Sequence, residues 1–383
     1  MSDENTTTLE VHRTDIGRTR LVEEGGDVGE GQVRLSIDRF AVTANNITYA
    51  VFGEMLGYWD FFPTADAEGG ADWGRVPAMG WATVVESRSE EIPLGGRYYG
   101  WYPMASHAVF TPMATNDGFR DDGAHRAAHA PVYRAYVSAG SDPMYPSPTE
   151  GVDGSLDDAE DRHVLLRGLG LTGFLAEEFF ADGGGSGESY FATNRVVVLS
   201  ASSKTALGFA DRAARRDGIE VVGVTSAANR DMVVATGLYD VVVGYDEIDT
   251  LATDGGAVSI DMAGNPTALA AVHHHFGDGL AYSMTVGRSH HDAEASPDGE
   301  MTGPTPQMFF APSEVGRRIE QWGRNEYGRR CADAIAGFVT GSHAWLEVEH
   351  RSGPGGAKQA WADVHAGSVA PSIGLVARIG GAR

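Results

Sequence analysis

Cysteine is nearly absent: Cys331 stands alone in 383 residues. One thiol cannot close an intrachain disulfide, nor supply the several thiolates of a structural zinc site. No apolar run approaches the roughly 20 residues that a membrane helix needs. Lysine is almost as scarce, with only Lys204 and Lys358 against 53 acidic residues and a formal charge of −24. A surface of that sign repels phosphate backbones and anionic bilayers, so neither nucleic acid nor membrane is expected as a partner. Such a composition suits high salt, where screening removes self-repulsion, although a codon bias toward arginine would deplete lysine too. The segment Met1–Asn5 is acidic and polar and does not read as a secretory signal, so a cytoplasmic location is expected.

What is present is core: 42% of residues are hydrophobic, and the length predicts two domains. The chain is organised around Arg195 to Asp246. Val196–Leu199 is a short β-branched run that predicts a buried strand, followed by a small-residue turn, Ser200 to Ala206. A helix over Leu207–Arg216, a strand over Glu220–Val224, a helix over Asn229–Leu238 and a strand over Asp240–Gly244 complete a βαβαβ unit. Parallel strands joined in this way bind ligands at their carboxyl ends. Further strands are predicted at Ala257–Met262 and Leu280–Val286, with a helix between them at Thr267–Phe276.

The front half reads as β. Gln32–Phe40 alternates with Val33, Leu35, Ile37 and Arg39 on one face, and strands resume at Gly80–Ser87, Tyr98–Tyr102 and His107–Phe110. Between them, Asn45, Thr48 and Tyr49 open a short helical stretch, where they either cap the helix or face a site. Tyr58–Pro63 is densely aromatic, as core or as a wall for a flat apolar substrate. Asn116–Asp161 has little periodicity and predicts a long loop. Helix is predicted over His163–Asp182, interrupted at Gly168–Gly173, and over Ser313–Ala336.

This order of elements resembles the medium-chain dehydrogenase/reductase superfamily, in particular its zinc-independent quinone-reductase-like group, and the DUF2855 proteins. The likeness rests on Asn45-Asn46-Ile47-Thr48-Tyr49, Gly95 to Gly100, Gly170-Leu171-Thr172-Gly173-Phe174 and Val224 to Arg230. It implies an α/β fold with a GroES-like β-barrel domain over 1–165 and a Rossmann-type doubly wound parallel sheet over 166–312. It also implies a return of 313–383 to the first, catalytic domain. Thr172 would lie near a nicotinamide, and Gly264 and Gly287, at the ends of the later strands, would line the cofactor.

One departure stands out. The family turn is rich in glycine so that its backbone can approach a pyrophosphate. Here Ser200, Ser203, Lys204 and Ala206 occupy those positions, unless a shift by two makes Gly208 the last glycine. The turn remains small and polar. Ala201, Ser202, Ser203, Lys204, Thr205 and Ala206 lead into a helix whose amino end favours an anion, with Lys204 adding charge and the hydroxyls adding donors. The Ser-Lys-Thr run lacks the spaced glycines of a P-loop. At the end of the second strand, Thr225, Ser226 and Arg230 replace the acidic residue that would hold a free ribose hydroxyl, so NADP(H) is the expected cofactor. The bland alternative makes Ser226 a helix cap and Arg230 a solvated side chain.

No metal is expected. Adjacent His273, His274 and His275 cannot share one ion from a helix, and His290-His291-Asp292 reads as an exposed loop. The expected reaction is hydride transfer to a carbonyl or conjugated carbonyl of a small-molecule substrate, with a homodimer as an allowed assembly. Tyr49 is the expected proton or hydrogen-bond donor, supported by Asn45 and Thr48, with Tyr58 in reserve. A catalytically inactive nucleotide-binding protein, acting as sensor or scaffold, is the alternative that the missing glycines favour.

Overall fold

The computed structural model describes residues 5–64, 72–146, 155–262, 264–286 and 301–380. The chain divides into two compact units, Met1–Leu165 with Leu346–Arg383, and Leu166–Trp345. The first unit opens with β1 (Thr6–His12), β2 (Thr19–Glu24) and β3 (Val33–Val42), then α1 (Ala44–Val51). It continues through β4 (Trp73–Gly74), β5 (Pro77–Ser87), β6 (Arg97–Pro103), β7 (His107–Phe110), β8 (Pro112–Thr115) and β9 (Gly118–Asp121). Helix α2 (Pro131–Arg134) and β10 (Ala135–Ser138) follow, and the long α3 (Leu156–Ala181) runs on into the second unit. Late in the chain, β17 (Glu347–Ser352), α9 (Gly353–His365) and β18 (Ile373–Arg378) return to the first unit.

Among the described residues nine strands form one sheet, in which β3 pairs with β5, β7 and β18. The alternation read in β3 is the packing: Val33, Leu35 and Ile37 point inward, and Arg39 is buried with them. Burying a guanidinium is costly unless it is paired. Arg39 meets Asp161 at 2.8 Å and Asp157 at 2.5 Å, both on α3.

That pairing explains one difference from the sequence. The helix begins at Leu156 rather than His163, inside the stretch expected to be loop, with Ser155 Oγ accepting the Asp158 amide at 3.2 Å. Acidic residues in a first turn are favourable, and here a distant arginine reinforces them. The same stretch also contains β9, α2 and β10, so it is not a single loop. Nor is α3 interrupted at Gly168–Gly173. A Cβ at Gly173 would stand 2.5 Å from the Phe209 amide nitrogen and 2.8 Å from the Thr205 carbonyl oxygen, so this glycine lets two helices touch.

The second unit is built on β11 (Arg195–Leu199), β12 (Glu220–Thr225), β13 (Val241–Gly244), β14 (Ala257–Asp261), β15 (Leu280–Val286) and β16 (Gln307–Phe309). They pair in the order β13-β12-β11-β14-β15-β16, every pair parallel. Helices α4 (Lys204–Ala213), α5 (Arg230–Ala235) and α6 (Pro266–Phe276) connect them. The strand order reverses between β11 and β14, which is where an open α/β sheet leaves a crevice for ligand. The helix expected over Ser313–Ala336 is two, α7 (Ala311–Trp322) and α8 (Arg324–Gly341), broken at Gly323, whose φ of 79° and ψ of 156° are not helical. Both belong to the second unit rather than to the returning tail, because α8 packs its Phe338 on Gly170 and Gly208. No helix among the described residues is long and apolar enough to cross a membrane.

Candidate functional site

The turn after β11 is built from small residues held from three sides. Ser200 takes a left-handed φ of 57°, a conformation in which glycine is the usual residue, and its hydroxyl lies 3.4 Å from that of Tyr245. The Tyr239 hydroxyl donates to the Ala201 carbonyl at 2.9 Å, and Asn229 donates to Ser202 Oγ at 3.1 Å. Ser203 caps α4 by accepting the Ala206 amide at 3.2 Å. Lys204 and Thr205 open the helix, in the first turn whose amides have no acceptor within the helix itself. Burial pushes the Lys204 ammonium down to about 8, so it keeps its charge at neutral pH at some cost in hydration.

The donor set therefore suits a pyrophosphate: a helix amino end, hydroxyls at Ser202, Ser203 and Thr205, and one ammonium. Side-chain contacts from Tyr239, Tyr245 and Asn229 hold the turn in place. Gly208, the alternative last glycine, lies inside α4, where a Cβ would come within 3.0 Å of the Gly170 Cα. It serves helix packing.

At the end of β12, Thr225 is buried, while Ser226 starts a short helical turn without a side-chain cap bond. Ser226 thus stands at the N-cap position, but it engages the turn through its backbone carbonyl, which accepts the Asn229 amide at 3.0 Å, rather than through its hydroxyl. Arg230 is not merely solvated. Its Nη1 donates to Glu247 Oε2 at 2.7 Å and its Nη2 to the Val242 carbonyl at 3.1 Å.

Thr172 lies in mid-α3, where its hydroxyl donates back to the Gly168 carbonyl at 3.0 Å. Gly264, with φ of 70°, donates its amide to the buried Asp261 carboxylate at 2.9 Å, at the end of β14. Gly287, His290, His291 and Asp292 lie outside the described residues. Of the three adjacent histidines, His273 is buried between Thr302 O and Ser283 Oγ, and His275 contacts Leu251 O. Among the described residues no three His, Cys, Asp or Glu side chains converge as a metal site.

In the first unit the structure gathers an aromatic cluster. The Tyr49 ring lies 4.7 Å from Tyr58 and 5.4 Å from Trp101, and Tyr133 lies 5.4 Å from Trp101. Asn45 Nδ2 donates to the Tyr49 hydroxyl at 3.4 Å, one helical turn away. Asn45 and Thr48 are not caps: Thr43 is the N-cap residue, and Asn46 completes the capping box, its Oδ1 accepting the Thr43 amide at 2.7 Å. Thr48 bonds back to the Ala44 carbonyl and does not reach Tyr49. Burial pushes the Tyr49 phenol well above its ordinary value, only partly offset by the Asn45 bond. Tyr58 moves the same way, from burial first and then from Tyr133 and Tyr49. Both phenols are therefore neutral, hence donors, at physiological pH. Tyr58, Trp59, Phe61 and Phe62 are all buried, which makes the aromatic run core.

Several of these partners escaped the sequence. Trp101 sits in a strand that alternation had located, but nothing there pointed at Tyr49. Tyr133 comes from the stretch read as loop, and Asn229, Tyr239, Tyr245 and Glu247 carry no motif at all.

The second unit carries an all-parallel sheet in this order, and the other, β-rich unit collects both chain ends. The fold is similar to that of CurA in complex with NADPH from Vibrio vulnificus, at 11% identity and a TM-score of 0.59 over 98% of this chain and 99% of that one. It is also similar to the mitochondrial 2-enoyl thioester reductase Etr1p/Etr2p heterodimer from Candida tropicalis, at 9% identity and 0.56 over 98% and 99%. The Etr1p/NADP/crotonyl-CoA complex matches at 9% identity and 0.54 over the same shares. Residues 40–370 match the family described as Protein of unknown function (DUF2855), and the chain belongs to that family. No curated protein matches the sequence.

Proposed function

We propose that the chain is an NADPH-dependent reductase that delivers hydride to a carbonyl or conjugated carbonyl of a small organic substrate, quinones and enones among them. The observation that carries this reading is the hydroxyl-rich, lysine-bearing turn between β11 and α4, at the reversal point of the parallel sheet. The NADPH and NADP held by similar folds support it. The turn residues Ser202, Ser203, Lys204 and Thr205 would hold the pyrophosphate, and Ser226 and Arg230 the 2′-phosphate. Bound there, the nicotinamide supplies the hydride.

Tyr49 would donate a hydrogen bond to the oxygen that gains charge during reduction. Its own acceptor lone pair is used by Asn45, which orients the phenolic proton outward and eases the growth of negative charge on the ring oxygen. The partly buried rings of Trp101 and Tyr133 would hold an apolar substrate body, with Tyr58 packed behind Tyr49. Because burial raises the Tyr49 pKa, it stabilises the oxyanion as a neutral donor better than it gives up its proton outright.

The second reading, a nucleotide-binding protein without chemistry, is favoured by the loss of turn glycines and by the lack of a cation bonded to Tyr49 among its described contacts. Fluorescence titration with NADPH, then NADPH oxidation against quinones and enones, separates the two. Binding with turnover that falls about a hundredfold or more in Tyr49→Phe supports the reductase. Binding with no turnover on any substrate leaves the inactive protein, and no binding removes both.

A further inference from the structure

The contact proposed for the 2′-phosphate is already taken. Arg230 Nη1 is held by Glu247 Oε2 at 2.7 Å, and the same oxygen accepts the Gly244 amide at 2.8 Å. One carboxylate oxygen therefore ties the start of α5 to the carboxyl end of β13. The pairing is not a buried structural lock, since the two side chains are 42% and 39% exposed. Exposed ion pairs of this kind are weak and exchange readily.

We infer that Glu247 is a specificity-determining residue, competing with the 2′-phosphate of NADP for Arg230 and so setting how far NADP is preferred to NAD. This rests on NADP(H) being the cofactor. A phosphate arriving at Arg230 Nη1 meets a like charge already bonded there, and Glu247 must swing toward solvent to release that donor. Arg230 can keep its Nη2 bond to the Val242 carbonyl while Nη1 changes partner, so the arginine itself need not move. For NAD the requirement is reversed. A free ribose hydroxyl donates, and a carboxylate next to it is an acceptor. Glu247 thus disfavours the phosphorylated nucleotide and tolerates the other, opposing the arginine beside it. Glu247 also stays ionised well into acid, because the Gly244 amide and Arg230 hold its carboxyl below the usual range.

The test uses calorimetric titration of the full chain with two fragments, adenosine 2′,5′-bisphosphate and adenosine 5′-monophosphate, which need no catalysis to read. Four proteins are compared: wild type, Glu247→Gln, Arg230→Ala and the double variant. Glu247→Gln should bind the bisphosphate roughly three- to tenfold more tightly and leave the monophosphate within about twofold. In the Arg230→Ala background the same change should do nothing. An equal gain for both fragments, a weaker bisphosphate complex, or an undiminished gain without Arg230 overturns the inference. Binding of neither fragment by any of the proteins overturns it together with the NADP reading. The expected ratios in a protein that oxidises no NADPH leave the inference standing and remove only the reductase.

Discussion

Replacing Gly173 by alanine should separate helix contact from helix propensity. In an isolated helix the change would help by about 1 kcal/mol. Here the new Cβ would lie 2.5 Å from the Phe209 nitrogen, 2.7 Å from the Gly208 carbonyl carbon and 2.8 Å from the Thr205 carbonyl oxygen. All three are backbone atoms of α4, so no rotamer change relieves the clash. One helix has to shift, and overpacking of this kind costs about 1–3 kcal/mol, more where backbone must move. We expect a net loss of about 0–2 kcal/mol. Gly316→Ala in α7 is the control, because nothing lies within 4 Å of its Cβ position and propensity alone should act. The two variants should then differ by about 1–3 kcal/mol, with Gly173→Ala the less stable. Urea unfolding followed by far-ultraviolet circular dichroism reads the difference, and hydrogen exchange of the α4 amides locates it. Since Thr205 is also part of the turn proposed to hold the pyrophosphate, nucleotide binding should weaken in Gly173→Ala and not in Gly316→Ala. A urea midpoint for Gly173→Ala at or above that of the control would refute the contact argument.

Lys204→Ala should weaken NADP binding about ten- to a hundredfold at neutral pH, and unchanged affinity would mean the helix end holds the phosphates unaided. Because the Lys204 ammonium is pushed down to about 8, wild-type affinity should fall as pH rises through that value, while the variant stays flat. Burial lowers the His273 pKa, so the folded protein keeps it neutral while the unfolded chain protonates near its ordinary value of about 6.5. That contribution to stability is present above this value and lost as pH falls through it toward the lower folded one. A shallower acid slope of the urea midpoint in His273→Gln would bear this out, and an identical slope would refute it. Finally, with a net charge of −24, the unfolding midpoint should rise between about 0.1 and 1 M potassium chloride as self-repulsion is screened, and a fall would mean that attractive ion pairs dominate instead.

Patterns that depend on near neighbours were legible without coordinates. The run Val196–Leu199, the turn after it and the strands beyond are local signals, and the parallel strands they predict are the ones formed. The pairing of Asn45 with Tyr49 is of this kind too, since four residues are one helical turn. What tertiary structure alone decided was the choice of partner. Among many arginines, Arg39 draws α3 back to Leu156, while Arg230 goes to Glu247. Gly170 and Gly173, which look like helix breakers in a row of letters, lie inside an unbroken helix, where the Phe338 and Ile335 side chains pack on the first and the α4 backbone on the second. Periodicity along a chain is set by bonded geometry and is written in residue order. The identity of a distant charge or helix that meets a side chain is set by how the elements pack, and no local window contains it.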